Sequence, residues 1–291
     1  MDGAGRRASL LVAHGPRRLA SATVRRLVLT ALLLGLVAAP AAATPPPDWR
    51  PGFAAARSYA ASRSGEVSFA LRTERRHWSF RGTTAYRSAS VVKAMLLVAY
   101  LRQGGVRDRG LRPGERALLD PMIRRSDNGA ATTIDGRVGM PALAALARRA
   151  GMRAFLPHPV WGGSQITADD QARFFLRIDR LLPPRHRRYG MHLLRTVIPS
   201  QRWGLAAAVP AGWRIAFKGG WGPGVTQDVQ HQVGLFTNAG LRVSLAVLTA
   251  DSPSAAYGRE TQRGVAARLL HGLAGQVVGA VAPVGRGLPR R

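Results

Sequence analysis

The chain has no cysteine. That excludes disulfides, thiolate metal sites and lipid attachment through cysteine. Lysine is almost absent: of 43 basic residues only Lys93 and Lys218 are lysine. A surface cation can be either residue, so a bias that replaces lysine by arginine wherever arginine serves leaves lysine where it does not. Arginine keeps its proton in a protein, whereas a buried lysine can lose it and act as a base. Acidic residues number only 15, and no glutamate lies between Glu115 and Glu260. The seven histidines have no acidic companions at ligand spacing, so no metal and no cofactor is expected.

The formal charge of +28 would draw the chain to polyanions. The arginines are scattered, with no basic block and no interleaving of aromatic and basic residues, which argues against nucleic acid. Anionic envelope polymers are the expected polyanionic partner.

The N-terminal 43 residues read as a secretory signal peptide. Arg17, Arg18, Arg25 and Arg26 precede an apolar stretch from Leu27 to Ala39, and Ala41-Ala42-Ala43 offers a small-residue cleavage site. The expectation is export, to the medium or the cell envelope. Residues 44–52 form a proline-rich spacer, 53–275 one domain with a helical lobe at about 105–200, and 276–291 a basic tail.

Periodicity predicts a helix over 53–62, paired strands over 66–71 and 77–80, and a buried helix over 90–103 with Ser90 at its N-terminus. Residues 109–150 read as mostly helical, broken at Pro113-Gly114, Asp120-Pro121, Gly136 and Gly139. A loop follows over 151–165, then a helix over 167–182 capped by Thr167 and a short one over 186–197. Strands are predicted over 213–217, 231–237 and 241–249, and a last helix over 254–273. Strands at both ends of the domain, with helices between, predict an α+β fold. One antiparallel sheet is flanked by helices and carries a second, all-helical lobe.

Three short motifs carry chemistry. In Ser90-Val91-Val92-Lys93 a serine and a lysine three apart share one helix face. Serine needs a base to become a nucleophile, and lysine serves as one only when burial or a second cation lowers its pKa. Ser126-Asp127-Asn128 adds a hydroxyl that can relay a proton and an amide that can hold a substrate carbonyl or the first lysine. Its carboxylate reads as a turn-former. Lys218-Gly219-Gly220 reads as the end of a strand, where glycines let a substrate lie along the edge and the ammonium attracts a carboxylate. Trp203, Trp213 and Trp221 cluster near this third motif and read as core packing.

In this order the three motifs resemble the set Ser-x-x-Lys, Ser-Asp-Asn, Lys-Thr-Gly of class A β-lactamases and penicillin-binding proteins. The resemblance extends over roughly 53–270. It implies Ser90 as acylated nucleophile, Lys93 as its base and Ser126 as proton relay. Asn128 would bind the substrate amide, Lys218 with Gly219 and Gly220 the substrate carboxylate, and the N–H groups of Ser90 and Trp221 the oxyanion.

Three departures stand out. Gly219 replaces the hydroxyl residue of the third motif. The spacing from Ser90 to Ser126 is short, so the helical lobe is trimmed. The loop 151–165, which in class A enzymes carries the glutamate that activates deacylating water, has no acid. Its only titratable candidate for that role is His158, read as a loop filler, and Asp169 and Asp170 beyond it read as helix caps.

The expected function is a monomeric, secreted serine hydrolase. It would form an acyl-enzyme with β-lactams or related amides and deacylate slowly. The alternatives are a D-alanyl-D-alanine peptidase acting on cell-wall peptides, and an idle envelope protein that binds wall peptide or polyanion.

Overall fold

The computed structural model describes residues 49–223 and 228–273. The proposed signal peptide, most of the spacer and the basic tail lie outside the described residues.

Five antiparallel strands make the main sheet, in the order β2-β1-β7-β6-β5. They are β1 (Glu66–Arg72), β2 (His77–Phe80), β5 (Arg214–Gly222), β6 (Val229–Asn238) and β7 (Leu241–Ala250). A small second sheet pairs β3 (Tyr86–Arg87) with β4 (Gln165–Ile166). Alternation sorts the side chains of the large sheet between two cores. Val67, Phe69, Leu71, Val243, Leu245 and Val247 bury against one layer of helices, which contributes Val265, Ala266 and Leu269. That layer is α1 (Phe53–Ala61) and α9 (Ala255–Leu269). Smaller residues such as Ala70, Ala216 and Ala246 face the opposite core.

The opposite core is built around α2 (Lys93–Leu101), all nine residues of which are buried. A helix apolar on every side has no face to give to water, so it can only sit centrally. Around it stand α3 (Gly104–Arg107), α4 (Pro113–Arg124), α5 (Asn128–Ala150), α6 (Ala168–Leu176), α7 (Ile178–Leu181) and α8 (Pro184–Arg195).

Several predicted boundaries move. The helix expected from Ser90 starts as a 3₁₀ turn, Ala89–Val92, and becomes α-helical only at Lys93. Pro121 does not break α4. The buried Leu119, Met122 and Ile123 hold that turn against a proline penalty of about 3 kcal/mol. Gly136 also stays helical, whereas Gly139 is a true break, at φ 71° and ψ 158°. The helix from Thr167 divides at Arg177. The strand expected to end at Phe217 runs on to Gly222, so the third motif lies inside an edge strand.

Candidate active site

The first motif meets the edge of the sheet through a glycine. A Cβ on Gly220 would stand 2.8 Å from each of Ser88 O, Ser90 N and Val91 N. Only a residue without a side chain lets β5 lie this close to the turn that carries Ser90. Gly220→Ala must therefore push strand and turn apart. The expected cost is about 1–3 kcal/mol of stability, read by thermal unfolding, together with loss of any chemistry at Ser90.

The turn itself is strained. Ala89, just before the serine, has φ 43°, and Ser126 in the second motif has φ 60°. Non-glycine residues persist there only where their surroundings enforce it. At Ser126 the clamp is visible: the Lys93 ammonium donates to the Ser126 carbonyl at 2.6 Å and to Asn128 Oδ1 at 2.7 Å. The Ser126 hydroxyl lies 3.3 Å from Lys93 Nζ and 3.0 Å from Lys218 Nζ. Asp127 accepts from the Ala130 N–H at 2.7 Å and caps α5, the turn-forming role expected of it. The Ser90 hydroxyl has no hydrogen-bond partner among the described residues, so Lys93 grips the second motif instead of its neighbour one turn back.

Both lysines are fully buried. Burial pushes Lys93 down to about 8, and the Asp127 carboxylate pulls the other way. Burial, and secondly the charge on Lys93, push Lys218 well below the ordinary lysine range. Two ammonium groups on one hydroxyl disfavour each other. Each charge therefore makes the other lysine easier to deprotonate, and the Ser126 hydroxyl is the bridge between them.

The loop 151–165 closes the other side. Ser88 N–H donates to Ser164 O at 2.7 Å, and the Ser88 hydroxyl faces the carbonyls of Trp161 and Gly162. Trp161 lays its ring over Lys93, 4.7 Å from Nζ to the centroid, and its indole N–H donates to Thr132. Sequence reasoning missed this tryptophan, although it is the one large aromatic in a run of Pro and Gly. His158 turns Nδ1 onto Val160 within its own loop. Asp170, expected to cap its helix, does not: Thr167 is the cap and accepts from the Asp170 N–H. The Asp170 carboxylate accepts three hydrogen bonds from the N–H groups of Arg153 and Ala154 across the neck of the loop. Asp169 pairs with His77.

His231, also missed, lies opposite Gly220 in the β5–β6 register. Its Nε2 lies 3.1 Å from Arg87 O, while its Nδ1 lies 3.0 Å from Gln230 O and 3.3 Å from the Thr249 N–H. Burial holds it neutral, with its pKa lowered to about 4. It ties the strand before the Ser90 turn to the main sheet.

Of the three tryptophans near the third motif, Trp203 and Trp221 meet edge-on at 5.7 Å. Trp213 belongs instead to the α1/α9 core, with its N–H on Leu273 O. At Gly219 a Cβ would stand 3.4 Å from the Trp221 ring, an ordinary van der Waals contact, so space alone does not demand glycine there. Among the described residues no group of three or more His, Asp or Glu stands where it could hold a metal ion.

A family model, the beta-lactamase enzyme family, matches residues 105–273, more than half of the chain. The chain belongs to this family. The matched stretch holds the second and third motifs, while Ser90 and Lys93 precede it and are joined to it by the Lys93 contacts to Ser126 and Asn128. Solved structures give the same fold. A β-lactamase from Sphaerobacter thermophilus is 22% identical with a TM-score of 0.63, the match covering 75% of this chain and 95% of that one. One from Desulfarculus baarsii is 23% identical with a TM-score of 0.60, covering 73% and 96%. A reconstructed ancestral class A β-lactamase is 19% identical with a TM-score of 0.62, covering 75% and 98%. A search of curated proteins gave no match. The α+β architecture is thus that of class A β-lactamases, an antiparallel sheet flanked by helices.

Proposed function

We propose that this chain is a serine hydrolase that forms an acyl-enzyme on Ser90 with β-lactams or related amides and releases it slowly. The observation that carries this reading is the buried pair Lys93 and Lys218 joined through the Ser126 hydroxyl. A surface-type lysine has no reason to be there, and a base does.

In this mechanism neutral Lys93 takes the Ser90 proton as Oγ attacks the substrate carbonyl. Catalytic hydrogen bonds often tighten only when substrate is bound, which accommodates a Ser90 hydroxyl that is free at rest. The N–H groups of Ser90 and Trp221 receive the oxyanion, preorganised by the close approach at Gly220. Ser126 passes a proton on to the leaving nitrogen. Asn128 holds Lys93 and the substrate amide, and Lys218, whose charged form an arriving anion favours, meets the substrate carboxylate along Gly219 and Gly220.

Slow release follows from the loop. Deacylation needs a base for water, and the loop 151–165 presents to Lys93 an indole ring in place of a carboxylate. The same feature favours a D-alanyl-D-alanine peptidase as the second reading, since such an enzyme also keeps its acyl intermediate. Export to the cell envelope, where anionic polymers would meet the arginine-rich surface, is part of the proposal.

Rapid mixing with a chromogenic β-lactam tests it. The expected trace is a burst stoichiometric with enzyme followed by a much slower steady rate. Fast linear turnover without a burst would overturn slow release, and no reaction at all would overturn the acyl-enzyme reading.

A further inference from the structure

Lys93 has no exposed surface, although its surroundings open to solvent. Ser90 is half-buried, and Asn128 and Thr132, one helical turn apart on α5, are exposed. The oxygens Ser126 O, Ser126 Oγ and Asn128 Oδ1 meet the Lys93 ammonium, and the Trp161 ring lies over it. Trp161 is pinned at both ends. Its indole N–H donates to the Thr132 hydroxyl at 3.2 Å, and its carbonyl accepts from the Ser88 hydroxyl at 3.3 Å. The residue thus runs from the turn before Ser90 to the helix that carries Asn128.

The loop has other anchors that hold it closed. Leu156 and Gln165 exchange backbone hydrogen bonds at 3.2 and 2.8 Å, Ser164 O holds the Ser88 N–H, and Asp170 spans the neck. What the indole adds is a cover on Lys93. That cover matters after acylation. Lys93 takes the Ser90 proton, Ser126 passes a proton to the leaving nitrogen and is resupplied by Lys93, and Lys93 is neutral again. Hydrolysis can then repeat the first step with water in the place of Ser90. Water attacks the acyl carbon and gives its proton to Lys93, the ester C–O bond breaks, and Ser90 Oγ takes that proton back. A base for water is therefore present, but it serves only if water reaches it.

We infer that Trp161 sets the lifetime of the acyl group by keeping water off Lys93. It is a positioning residue, acting through the lysine and not on the substrate. The inference rests on the acyl-enzyme reading of Ser90 and names what controls its release. The charged groups that act on Lys93 are Asp127, ahead of α5, and Lys218 of β5. Both remain when the indole is removed.

Three variants of the full chain test it. Each acyl-enzyme is formed with benzylpenicillin, freed of excess antibiotic and followed by intact mass at several pH values. Trp161→Ala should release its acyl group roughly 10²-fold faster than the parent, the low end of what a general base contributes. That release should climb with pH through the range where Lys93 loses its proton, about 8 in the parent and higher once water is admitted. Release from the parent should show no such climb. Trp161→Gln fills the space with a polar chain and should behave as the alanine variant does, so the test survives if alanine does not fold. Trp161→Phe keeps a ring over the ammonium while losing the bond to Thr132, and it should release slowly. Fast release without a climb in pH, or release from Trp161→Phe as fast as from Trp161→Ala, would overturn the inference. If the adduct lasts equally long on the parent, Trp161→Ala and Trp161→Gln, this inference alone fails. A parent that takes up no adduct overturns the acyl-enzyme reading with it.

Discussion

Ser90→Ala is expected to abolish covalent labelling by a β-lactam or a fluorophosphonate. Ser90 stands at the one place where a serine, a buried lysine three residues on and a glycine-thin strand edge converge. Alanine removes a single oxygen from a half-exposed position, so the fold should survive, and a surface change of this kind usually costs under about 0.5 kcal/mol. Intact-mass spectrometry of parent and variant reads the result. Undiminished labelling of Ser90→Ala would move the nucleophile elsewhere, with Ser126 the first to examine.

Lys93→Arg should lower the acylation rate by roughly 10²–10⁴, the range for loss of a general base. The variant keeps the charge and loses the ability to titrate. In the parent, Lys93 must be neutral to act and its pKa is lowered to about 8. Acylation should therefore rise with pH below about 8 and level off above it. That limb should be missing in Lys93→Arg. The lowered pKa also fixes the sign of a stability effect. Between about 8 and the ordinary lysine value of 10.5, the unfolded chain binds a proton that the folded chain declines, so stability rises with pH across that window. A parent whose acylation is independent of pH, or an arginine variant that acylates at the parental rate, would remove Lys93 from the mechanism.

Much of this arrangement was legible in the residues. Two lysines among so many arginines singled out two positions, and both are buried on the same hydroxyl. The alternation Val67, Phe69, Leu71 placed one face of β1, and the all-apolar run after Ser90 placed the central helix. What stayed hidden depends on contacts between distant segments. Nothing local says that Lys93 turns to Ser126 and Asn128 in preference to Ser90, because that geometry is made by the left-handed backbone at Ser126. Trp161 looked like part of a loop, and only the fold lays it on Lys93. Asp170 carries the local signature of a helix cap, and its long-range bonds to Arg153 and Ala154 leave no trace in spacing. Pro121 misled for the converse reason: a strong local signal was outweighed by the burial of its neighbours.

The central claim is an acyl group on Ser90 that outlives its formation. The most direct measurement mixes the intact chain with benzylpenicillin, quenches at intervals and follows the mass, then maps the modified peptide. The acyl-enzyme mechanism predicts a gain equal to the whole antibiotic, located on Ser90 and decaying slowly. Continued consumption of penicillin with the mass unchanged at every interval, or an adduct mapped to another residue, would contradict it.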